Sequence, residues 1–586
     1  MKRLFIAATT ALGVASLMLA ATTPAQACGG FFCSQTPIDQ MGEQIIFGVG
    51  DNSITAQIMI SYTGEAEDFS WILPVATQPT LTVGSQAAFQ TVASRTQPYF
   101  YLNWDYGNNQ CGGWQFAPEL ASDADGGAGG NVEVIAEEEV GPFATTIIAA
   151  NDTQALVTWL NDNGYDQPPE STPLIDHYVQ QGMLFVALKL KRGEPVGAIQ
   201  PIQLEFEEAD PCVPLVLTQI AAVDDMPIQL YLLAEHRMVP TNWMHVVINQ
   251  KKIDWINYGQ NYTDVVTQAV NEARGHAFVT EYAGPSNILE NALYNEGRYD
   301  LEALGATTDP ARFVQMLLNQ GFPRDATMQG LLRKYIPMPQ SLIDQGVEER
   351  SFYNNLDSYA EALAELDFDA PAFVTELEER VIAPLRSAQE LFDSKPYMTR
   401  LFTTVSPNEM NRDPLFAENA DLGEVDNQHT ADAMAVCNED DPNIIDRVII
   451  TLEDGDVFEL EGPFDNSYWW GGGGEDTIDP APEESAAKRI ELIGRSGPPT
   501  LVGASQVIAV DDSLDQKTSD QVIADMQTGV IPPATEVVVP PTPEVPGPEF
   551  GPGSGCTGGG AELPLFLVLA MLGMLAVVRR RQETNV

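Results

Sequence analysis

The chain has 586 residues, of which 83 are acidic and 29 basic, and its formal net charge at neutral pH is -54. A negative charge this large repels nucleic acid and anionic lipid, so we expect no nucleic-acid partner. Hydrophobic residues make up 44% of the chain, which supports packed cores and argues against a disordered acidic polymer.

The first 27 residues have the pattern of a secretory signal peptide. Lys2 and Arg3 precede an apolar run, and residues 25–27 (Ala-Gln-Ala) form a small-x-small cleavage site. The predicted cut therefore lies between Ala27 and Cys28. The alternative is a lipoprotein signal that lipidates Cys28, although residue 25 is alanine where that signal normally has leucine.

Residues 28–260 are predicted to form a β-rich α+β domain. "QIIFGVGDNSITAQIMISY" predicts two strands around a Gly-Asp-Asn turn, with apolar and polar residues alternating in the second strand. "TQALVTWLNDNGY" and "STPLIDHYVQQG" predict two helices with polar N-caps. Four more strands are predicted at "MLFVALKLKR", "IQPIQLEFE", "PLVLTQIAAV" and "PIQLYLLAEHRMV", which gives a mixed or antiparallel sheet with packed helices.

Residues 261–396 are predicted to be a helical region, in which the longest helix begins at Asp369 and Pro371. Pro384 is expected to kink this helix. Residues 397–528 are predicted to return to β-structure in a smaller C-terminal region. That region has a hairpin around Asp454 and Gly455 and late strands at "KRIELIGR" and "SQVIAV".

Residues 529–555 form a Pro/Gly-rich stalk, and residues 556–586 have the pattern of a sorting signal or transmembrane anchor. The 16 uncharged, nearly all apolar residues from Leu563 to Val578 precede Arg579, Arg580 and Arg581. Such a helix spans roughly 24 Å, slightly less than a bilayer core of roughly 30 Å, and arginines at its end can extend its reach. Basic residues stay on the cytoplasmic side, which predicts a body outside the inner membrane of a Gram-negative bacterium.

The six cysteines are scattered and contain no CxxC pair. An exported chain with few cysteines is expected to have a few disulfides on a fold with its own core. The candidate disulfide cysteines are Cys28, Cys33, Cys111 and Cys212, and "CGGFFC" permits a small ring at the new N-terminus. If the tail is processed or attached at Cys556, five cysteines remain. Five cannot all pair in disulfides, so either one thiol stays free or Cys28 carries a lipid.

No sequence pattern identifies a catalytic, cofactor or metal site. The five histidines include no HExxH or other close ligand pair, and each is expected to be an ordinary packed or surface residue. Asp176 and His177 are adjacent in the sequence and are candidates for part of a hydrolytic triad, but adjacency in sequence does not establish the geometry of a triad. "DADGGAGG" at 123–130 resembles part of a calcium loop but has valine at position 134, where an EF-hand has its last ligand, so the segment is expected to be a solvated loop, with Ca²⁺ binding as the alternative. "SYWWGG" is either locally packed or a stacking platform for sugars.

Four segments resemble a family of exported bacterial proteins of unknown function, DUF2330. They are "CGGFFCSQTPIDQMGEQIIFGV", "TAQIMISYTGEAEDFSWILPV", "DPCVPLVLTQIAAVDDMPIQLYLLAEHRMVPTNW" and "MTRLFTTVSPNEMNRDP", and they span residues 28–413. The resemblance implies an exported protein with no assigned activity and no established catalytic residues. The tail is similar to myxobacterial-type sorting signals, which implies that a membrane protease processes or attaches the chain at Cys556. The single cysteine, followed by Thr557, departs from the usual motif and favours simple retention as an anchor.

Together these features predict an exported protein, anchored at a membrane or at the outer cell surface. Its expected work is binding or structural, with a protein or polysaccharide ligand that the sequence does not identify. A hydrolase of envelope polymers is the first alternative, because helical insertions can frame a cleft. Calcium-dependent adhesion is the second, because the chain is strongly acidic.

Overall fold

The structure, a computed structural model, describes residues 39–534 except for 51, 64–69, 106–132, 164, 166–167, 192–199, 208–209, 364–365, 442–443 and 465–479. Its strands are β1 (Asp39–Val49), β2 (Ile54–Thr63), β3 (Ser70–Val75), β4 (Thr80–Val83), β5 (Tyr99–Asp105), β6 (Glu133–Val140), β7 (Phe143–Ala149), β8 (Leu184–Leu190), β9 (Ile202–Phe206), β10 (Met226–Ala234), β11 (Arg237–Pro240), β12 (Met244–Ile248), β13 (Ala277–Pro285), β14 (Tyr397–Val405), β15 (Phe416–Asn419), β16 (Gln428–Cys437), β17 (Ile445–Leu452), β18 (Val457–Phe464), β19 (Ala487–Leu492) and β20 (Thr500–Val502).

The α-helices are distributed along the same described residues. They are α1 (Gln86–Thr96), α2 (Thr153–Asp162), α3 (Thr172–Gln180), α4 (Leu215–Thr218), α5 (Tyr262–Glu272), α6 (Leu301–Gly305), α7 (Pro310–Gln320), α8 (Ala326–Tyr335), α9 (Gln340–Asp344), α10 (Glu349–Asn354), α11 (Ala360–Leu363), α12 (Ala370–Leu377), α13 (Ala383–Asp393), α14 (Val507–Leu514) and α15 (Ser519–Thr528). A π-helical segment, Glu378–Ile382, joins α12 to α13.

A ten-stranded mixed sheet runs through the fold in the order β20-β19-β12-β13-β14-β10-β1-β2-β9-β4. The β1–β10 and β12–β13 pairs are parallel, and the other pairs in this sheet are antiparallel. Strand β1 is buried on both faces, because Ile45 and Phe47 face one core and Ile46 faces another. That double burial explains why its sequence is an almost continuous apolar run.

Helices and a second sheet cover the two faces of the large sheet. A four-stranded sheet, β3-β8-β7-β6, packs on the face that carries Ile45 and Phe47. Helices α2 and α3 cover the far side of that smaller sheet through Leu156 and Ile175. The face of the large sheet that carries Ile46 packs against α1 and α13. The body is therefore a stack of layers, helix–sheet–sheet–helix.

A third sheet, β18-β17-β16-β5, shares a core with α5, α14, α15 and the β12–β13–β19–β20 end of the large sheet. Helices α6 to α13 form a separate apolar cluster around residues such as Phe313 and Phe373. Aspartates cap several of these helices, and Asp369 accepts a hydrogen bond from the Ala372 backbone at 3.0 Å. The predicted start of the longest helix is therefore confirmed.

The large mixed sheet and its packed helices confirm the predicted α+β class. The predicted hairpins β1–β2 and β17–β18 are also present. Two predicted strands are wrong, since "PLVLTQIAAV" contains the short helix α4 and "SQVIAV" begins α14. In α14 the buried residues Val507, Val510 and Leu514 recur at helical spacing, and only the first two fall inside the window taken for a strand.

The large sheet takes strands from all three predicted regions, 28–260, 261–396 and 397–528. Strand β13 in particular lies inside the region predicted to be helical, between β12 and β14. The domain boundaries themselves stay a prediction.

Candidate functional site

Most of the residues singled out from the sequence lie outside the described residues: Ala27, Cys28, Cys33, Cys111, Cys556, Arg579, Arg580 and Arg581, and also the 123–130 loop and "SYWWGG". Cys212 is described; it is half-buried and forms an isolated β-bridge with Leu415. The predicted disulfide set stays a prediction. It leaves out Cys437, which is disulfide-bonded at the end of β16 and which no spacing signal distinguished.

Asp176 and His177, the adjacent pair considered for a triad, make separate hydrogen bonds on α3. Asp176 accepts hydrogen bonds from Thr153 and Gln180. The Gln181 side-chain amide donates to His177 Nε2 at 2.9 Å, and burial lowers the pKa of His177. The Asp176 side chain therefore links α3 to the first residue of α2, and the His177 side chain pairs with Gln181 at the end of its own helix.

The described residues enclose a cleft of about 520 Å³ between the helical cluster and the edge of the large sheet. Helices α8 and α12 and the π-helical segment form one wall, while β4 and the β6–β7 turn form the other. Its lining residues are Val83, Gly141, Tyr335, Ala372, Thr375, Glu376, Glu379 and Arg380. The volume is within the range of small-molecule sites, about 300–1,000 Å³. We call it the π-helix cleft.

Pro384 explains the π-helical wall of this cleft. Proline has no N–H, so an α-helix through Pro384 leaves the carbonyl of Arg380, four residues earlier, without its usual donor. The helix widens into a π segment at 378–382, and the Gln200 side-chain amide donates to that carbonyl at 2.7 Å. Arg380 Nε in turn donates to Gln200 Oε1 at 2.8 Å. The reciprocal pair fixes the buried Arg380 at the floor of the cleft.

The carboxylate of Glu376 is fully engaged inside the π-helix cleft. It accepts hydrogen bonds from Lys334 and Tyr335 at 2.8 Å and from Arg380 Nη1 at 3.0 Å. Burial acts in the opposite direction, but these donors lower the pKa of Glu376. Burial and the bond to Glu376 raise the pKa of Tyr335, so its hydroxyl stays a donor. This wall is charged, internally satisfied and rigid.

Glu379 differs from Glu376 because it is exposed on the rim of the cleft. Among the described residues, none of the ion pairs involves Glu379. Lys334 and Arg380 balance the charges of Glu376 and Glu379, so these four side chains together carry no net charge. The exposed Glu379 carboxylate on the rim is the group of the four that can pair with an ammonium group of a small polar ligand.

A second constellation links three neighbouring strands of the large sheet. His245 on β12 lies opposite Glu491 on β19, with Nδ1 3.3 Å from Glu491 Oε2. Its Nε2 lies 3.0 Å from Thr280 Oγ1 on β13. Arg237 Nη2 donates to the same Thr280 oxygen at 3.1 Å. We call this chain of contacts the His245 relay.

The electrostatics of the His245 relay select one tautomer. Burial lowers the pKa of His245, which keeps its ring neutral. Burial works against ionisation of Glu491, yet hydrogen bonds from His245 and Arg489 lower its pKa to about 2. A neutral ring beside this carboxylate has its proton on Nδ1, so Nε2 accepts from the Thr280 hydroxyl. The direction of donation is therefore Arg237 to Thr280, Thr280 to His245 and His245 to Glu491.

A third buried network surrounds His276. Its Nδ1 lies 2.8 Å from Asp511 Oδ1, and its Nε2 lies 2.8 Å from the Glu409 carbonyl oxygen. Arg412 Nη2 also donates to Asp511 Oδ1, at 2.6 Å. The network ties α14 to the loop after β14 and to the end of α5. It is a structural clamp, since the contacts of Asp511 with His276 and Arg412 join separate elements.

The sequence predicted His245 and His276 to be ordinary packed or surface residues, and no local signal marked their acidic partners. His245 and Glu491 are 246 positions apart, and His276 and Asp511 are 235 apart. Among the described residues no group of three or more His, Cys, Asp or Glu side chains can hold a metal ion. The helices in this part of the chain include none both long and apolar enough to cross a bilayer.

The fold and its cleft define an α+β protein with a mixed central sheet and a polar cleft. A family model described as "Uncharacterized protein conserved in bacteria (DUF2330)" matches residues 23–337. The chain belongs to this family. The fourth resembling segment, which begins at Met398, lies beyond the matched range. No curated protein and no solved structure matches the chain.

Proposed function

We propose that this chain is an exported protein of the cell envelope, held at a membrane by its C-terminal segment, and that its body works by binding. The export proposal is supported by the charged start, the apolar run and the small-x-small site before Cys28. The anchor proposal is supported by the apolar residues 563–578 and the arginines at 579–581.

The tail supports two versions of anchoring. In the first, the apolar segment stays in the membrane, and the Pro/Gly-rich residues 529–555 separate the body from it. In the second, a sorting protease cuts near Cys556 and that residue attaches the chain to the surface. The single cysteine favours the first version.

The π-helix cleft is the observation that carries the binding proposal. Its wall is already ordered, because Glu376 and Arg380 are satisfied by neighbours before any ligand arrives. A pre-formed wall loses little conformational freedom on binding. Glu379 supplies a free carboxylate at the mouth for an ammonium group, and Tyr335 supplies a hydroxyl. The proposed ligand is a small polyhydroxylated or peptidic amine.

A ligand titration of the full chain in detergent tests the cleft. Glucosamine and lysine are the probes, and glucose, glucuronate and Nα,Nε-diacetyl-lysine, which carry no ammonium group, are their controls. We expect the two amines to raise the melting temperature and the controls to leave it unchanged. Glu379→Gln is expected to abolish the effect, whereas Glu361→Gln, an exposed carboxylate on α11, is expected to retain it. Equal responses in both variants, or no response to either amine, contradict the cleft assignment.

Cell fractionation tests the anchor separately. The intact chain is expected in the membrane or surface fraction, and a chain lacking residues 556–586 is expected in the medium or the periplasm. If the truncated chain stays in the membrane fraction, the tail is not the anchor.

The His245 relay favours a hydrolase as the second candidate function. A neutral imidazole oriented by a carboxylate and contacting a hydroxyl has the roles of base, orienter and nucleophile. Thr280 oxygen would attack an acyl carbon and pass its proton through His245 Nε2 to the leaving group. Water would then release the acyl group.

A fluorophosphonate probe, followed by peptide mass spectrometry, tests this second candidate on the full chain. Labelling of Thr280, lost in His245→Asn and retained in the exposed control Thr158→Val, supports it. An unlabelled Thr280 in a folded chain contradicts it.

A further inference from the structure

Two tyrosines project into solvent where the third sheet meets the loop before α5. Tyr101 on β5 is 62% exposed and Tyr258 is 42% exposed. Their ring centroids are 6.4 Å apart and their planes meet at 59°. The two rings therefore form an open V rather than a packed pair. Large aromatic side chains exposed together in this way are typical of binding surfaces.

The backbone of Tyr258 is held in an unfavourable conformation. Its φ is 55°, in the left-handed region that bulky side chains rarely occupy. Such strain persists only where the surroundings enforce it, and it is concentrated at functional sites. Because the Tyr258 ring is exposed, its packing contributes little to stability and does not explain why the strained backbone conformation is kept.

The loop that carries Tyr258 is braced from inside. The Asp254 carboxylate accepts from the backbone and side chain of Asn257 at 3.2 and 2.8 Å. Asn261 accepts from the Asp254 backbone at 2.8 Å and donates to the Lys252 carbonyl at 2.7 Å. Asp254, Asn261 and Lys252 are all buried. The loop is thus a rigid support for the exposed ring.

The packing of Gly259 on Phe100 explains why the two tyrosine rings lie close together. Phe100 points into the core beneath the loop, and a Cβ on Gly259 would lie 2.4 Å from its ring. Only glycine fits that position, where φ is also 77°. Gly259 lies over Phe100. Tyr258, which precedes Gly259, therefore lies beside Tyr101, which follows Phe100.

Hydrogen-bond acceptors accompany the rings on the same face of the third sheet. Tyr101 is in register with Thr430 and Asn103 with Asp432, on adjacent strands. Asn103 donates to Asp432 at 3.3 Å, and Thr430 is hydrogen-bonded to Glu453. These carboxylates can accept hydrogen bonds from hydroxyl groups, and they repel anions.

We propose that Tyr101 and Tyr258 form a carbohydrate-binding site for a neutral glycan. A pyranose ring has a face of C–H groups that stacks on the negative face of an aromatic ring, while its hydroxyls donate to nearby carboxylates. The charge of -54 disfavours uronate or sulfate polymers. The biological setting rests on the proposed export, but the binding itself does not.

Calorimetric titration of the purified full chain in detergent tests the site. Cellohexaose and chitohexaose are the neutral probes, with oligogalacturonate as the anionic control and a proline-rich decapeptide as the protein-type control. We expect a neutral hexasaccharide to bind, with affinity lower by at least about tenfold in Tyr101→Ala and in Tyr258→Gly. Val457→Ala, an exposed residue elsewhere on the same sheet, is expected to change affinity by less than about twofold.

Tyr258→Gly separates binding from folding, because glycine accepts positive φ without strain. Its melting temperature is expected to be no lower than that of the parent chain, although it binds less. Binding of the peptide alone, equal binding of oligogalacturonate, no binding of either hexasaccharide, or affinity unchanged in both tyrosine variants overturns the proposal. A lower melting temperature in Tyr258→Gly overturns the strain argument. Since these titrations use purified protein, a failure of export or of the π-helix cleft leaves their result unaffected.

Discussion

Glu43 is a carboxylic acid inside the core, and its substitution gives the sharpest stability prediction. It lies on β1 with 4% of its surface exposed, next to a cavity of about 10 Å³ lined by Trp71, Pro74 and Leu217 among others. The Gln40 side-chain amide donates to Glu43 Oε2 at 3.3 Å. Burial raises the pKa of Glu43 to about 7 against the weaker opposing effect of Gln40.

The direction in which pH changes the free energy of unfolding follows from proton linkage. In the unfolded chain Glu43 ionises near 4.5, whereas in the folded chain it stays protonated until about 7. Its contribution to stability is therefore complete below pH 4.5 and is lost as pH rises through about 7. The difference between 4.5 and about 7, at about 1.4 kcal/mol per pH unit, gives roughly 3 kcal/mol.

Urea unfolding of the full chain from pH 4 to pH 8 measures this effect. We expect Glu43→Gln to match the parent chain at the acidic end and to exceed its free energy of unfolding by roughly 3 kcal/mol at pH 8. Glu205→Gln, an exposed carboxylate on β9, controls for loss of charge and is expected to show no such trend. A difference between Glu43→Gln and the parent that does not vary with pH would show that Glu43 does not ionise with a raised pKa in the folded chain.

Three further predictions concern the helical cluster and calcium. Arg380→Met removes the cation between Glu376 and Gln200, and we expect it to lower the free energy of unfolding by about 3–5 kcal/mol in urea titrations. Phe313→Ala removes a fully buried ring, and the expected loss is about 3–5 kcal/mol, against less than about 0.5 kcal/mol for the exposed Leu318→Ala. Millimolar Ca²⁺ is expected to leave the melting temperature unchanged; a rise that EDTA reverses supports calcium-dependent adhesion.

Local sequence signals predicted the parts of the fold that local physics determines. The Gly-Asp-Asn turn placed the β1–β2 hairpin, Asp454 and Gly455 placed β17–β18, and Asp369 placed the start of α12. Each depends on turn or capping chemistry within a few residues. "SQVIAV" failed because six apolar-rich residues fit a strand, and the helical spacing becomes visible only when Leu514 is included.

The candidate sites were beyond such signals because they depend on contacts between distant segments. In the π-helix cleft, the Gln200 side chain donates a hydrogen bond to the Arg380 carbonyl, which Pro384 leaves without its usual donor. Gln200 and Arg380 are 180 positions apart in the sequence. The sequence predicted only that Pro384 disturbs the helix. Tyr101 and Tyr258 are 157 positions apart, and the packing of Gly259 on Phe100 brings their rings together.

We propose that this family member works outside the cytoplasm, and the mass of its mature N-terminal peptide distinguishes an exported chain from a retained one. We expect a chain that begins at Cys28, with or without a lipid, in protein isolated from its own cells. A mature chain that retains residues 2–27 contradicts export by this signal.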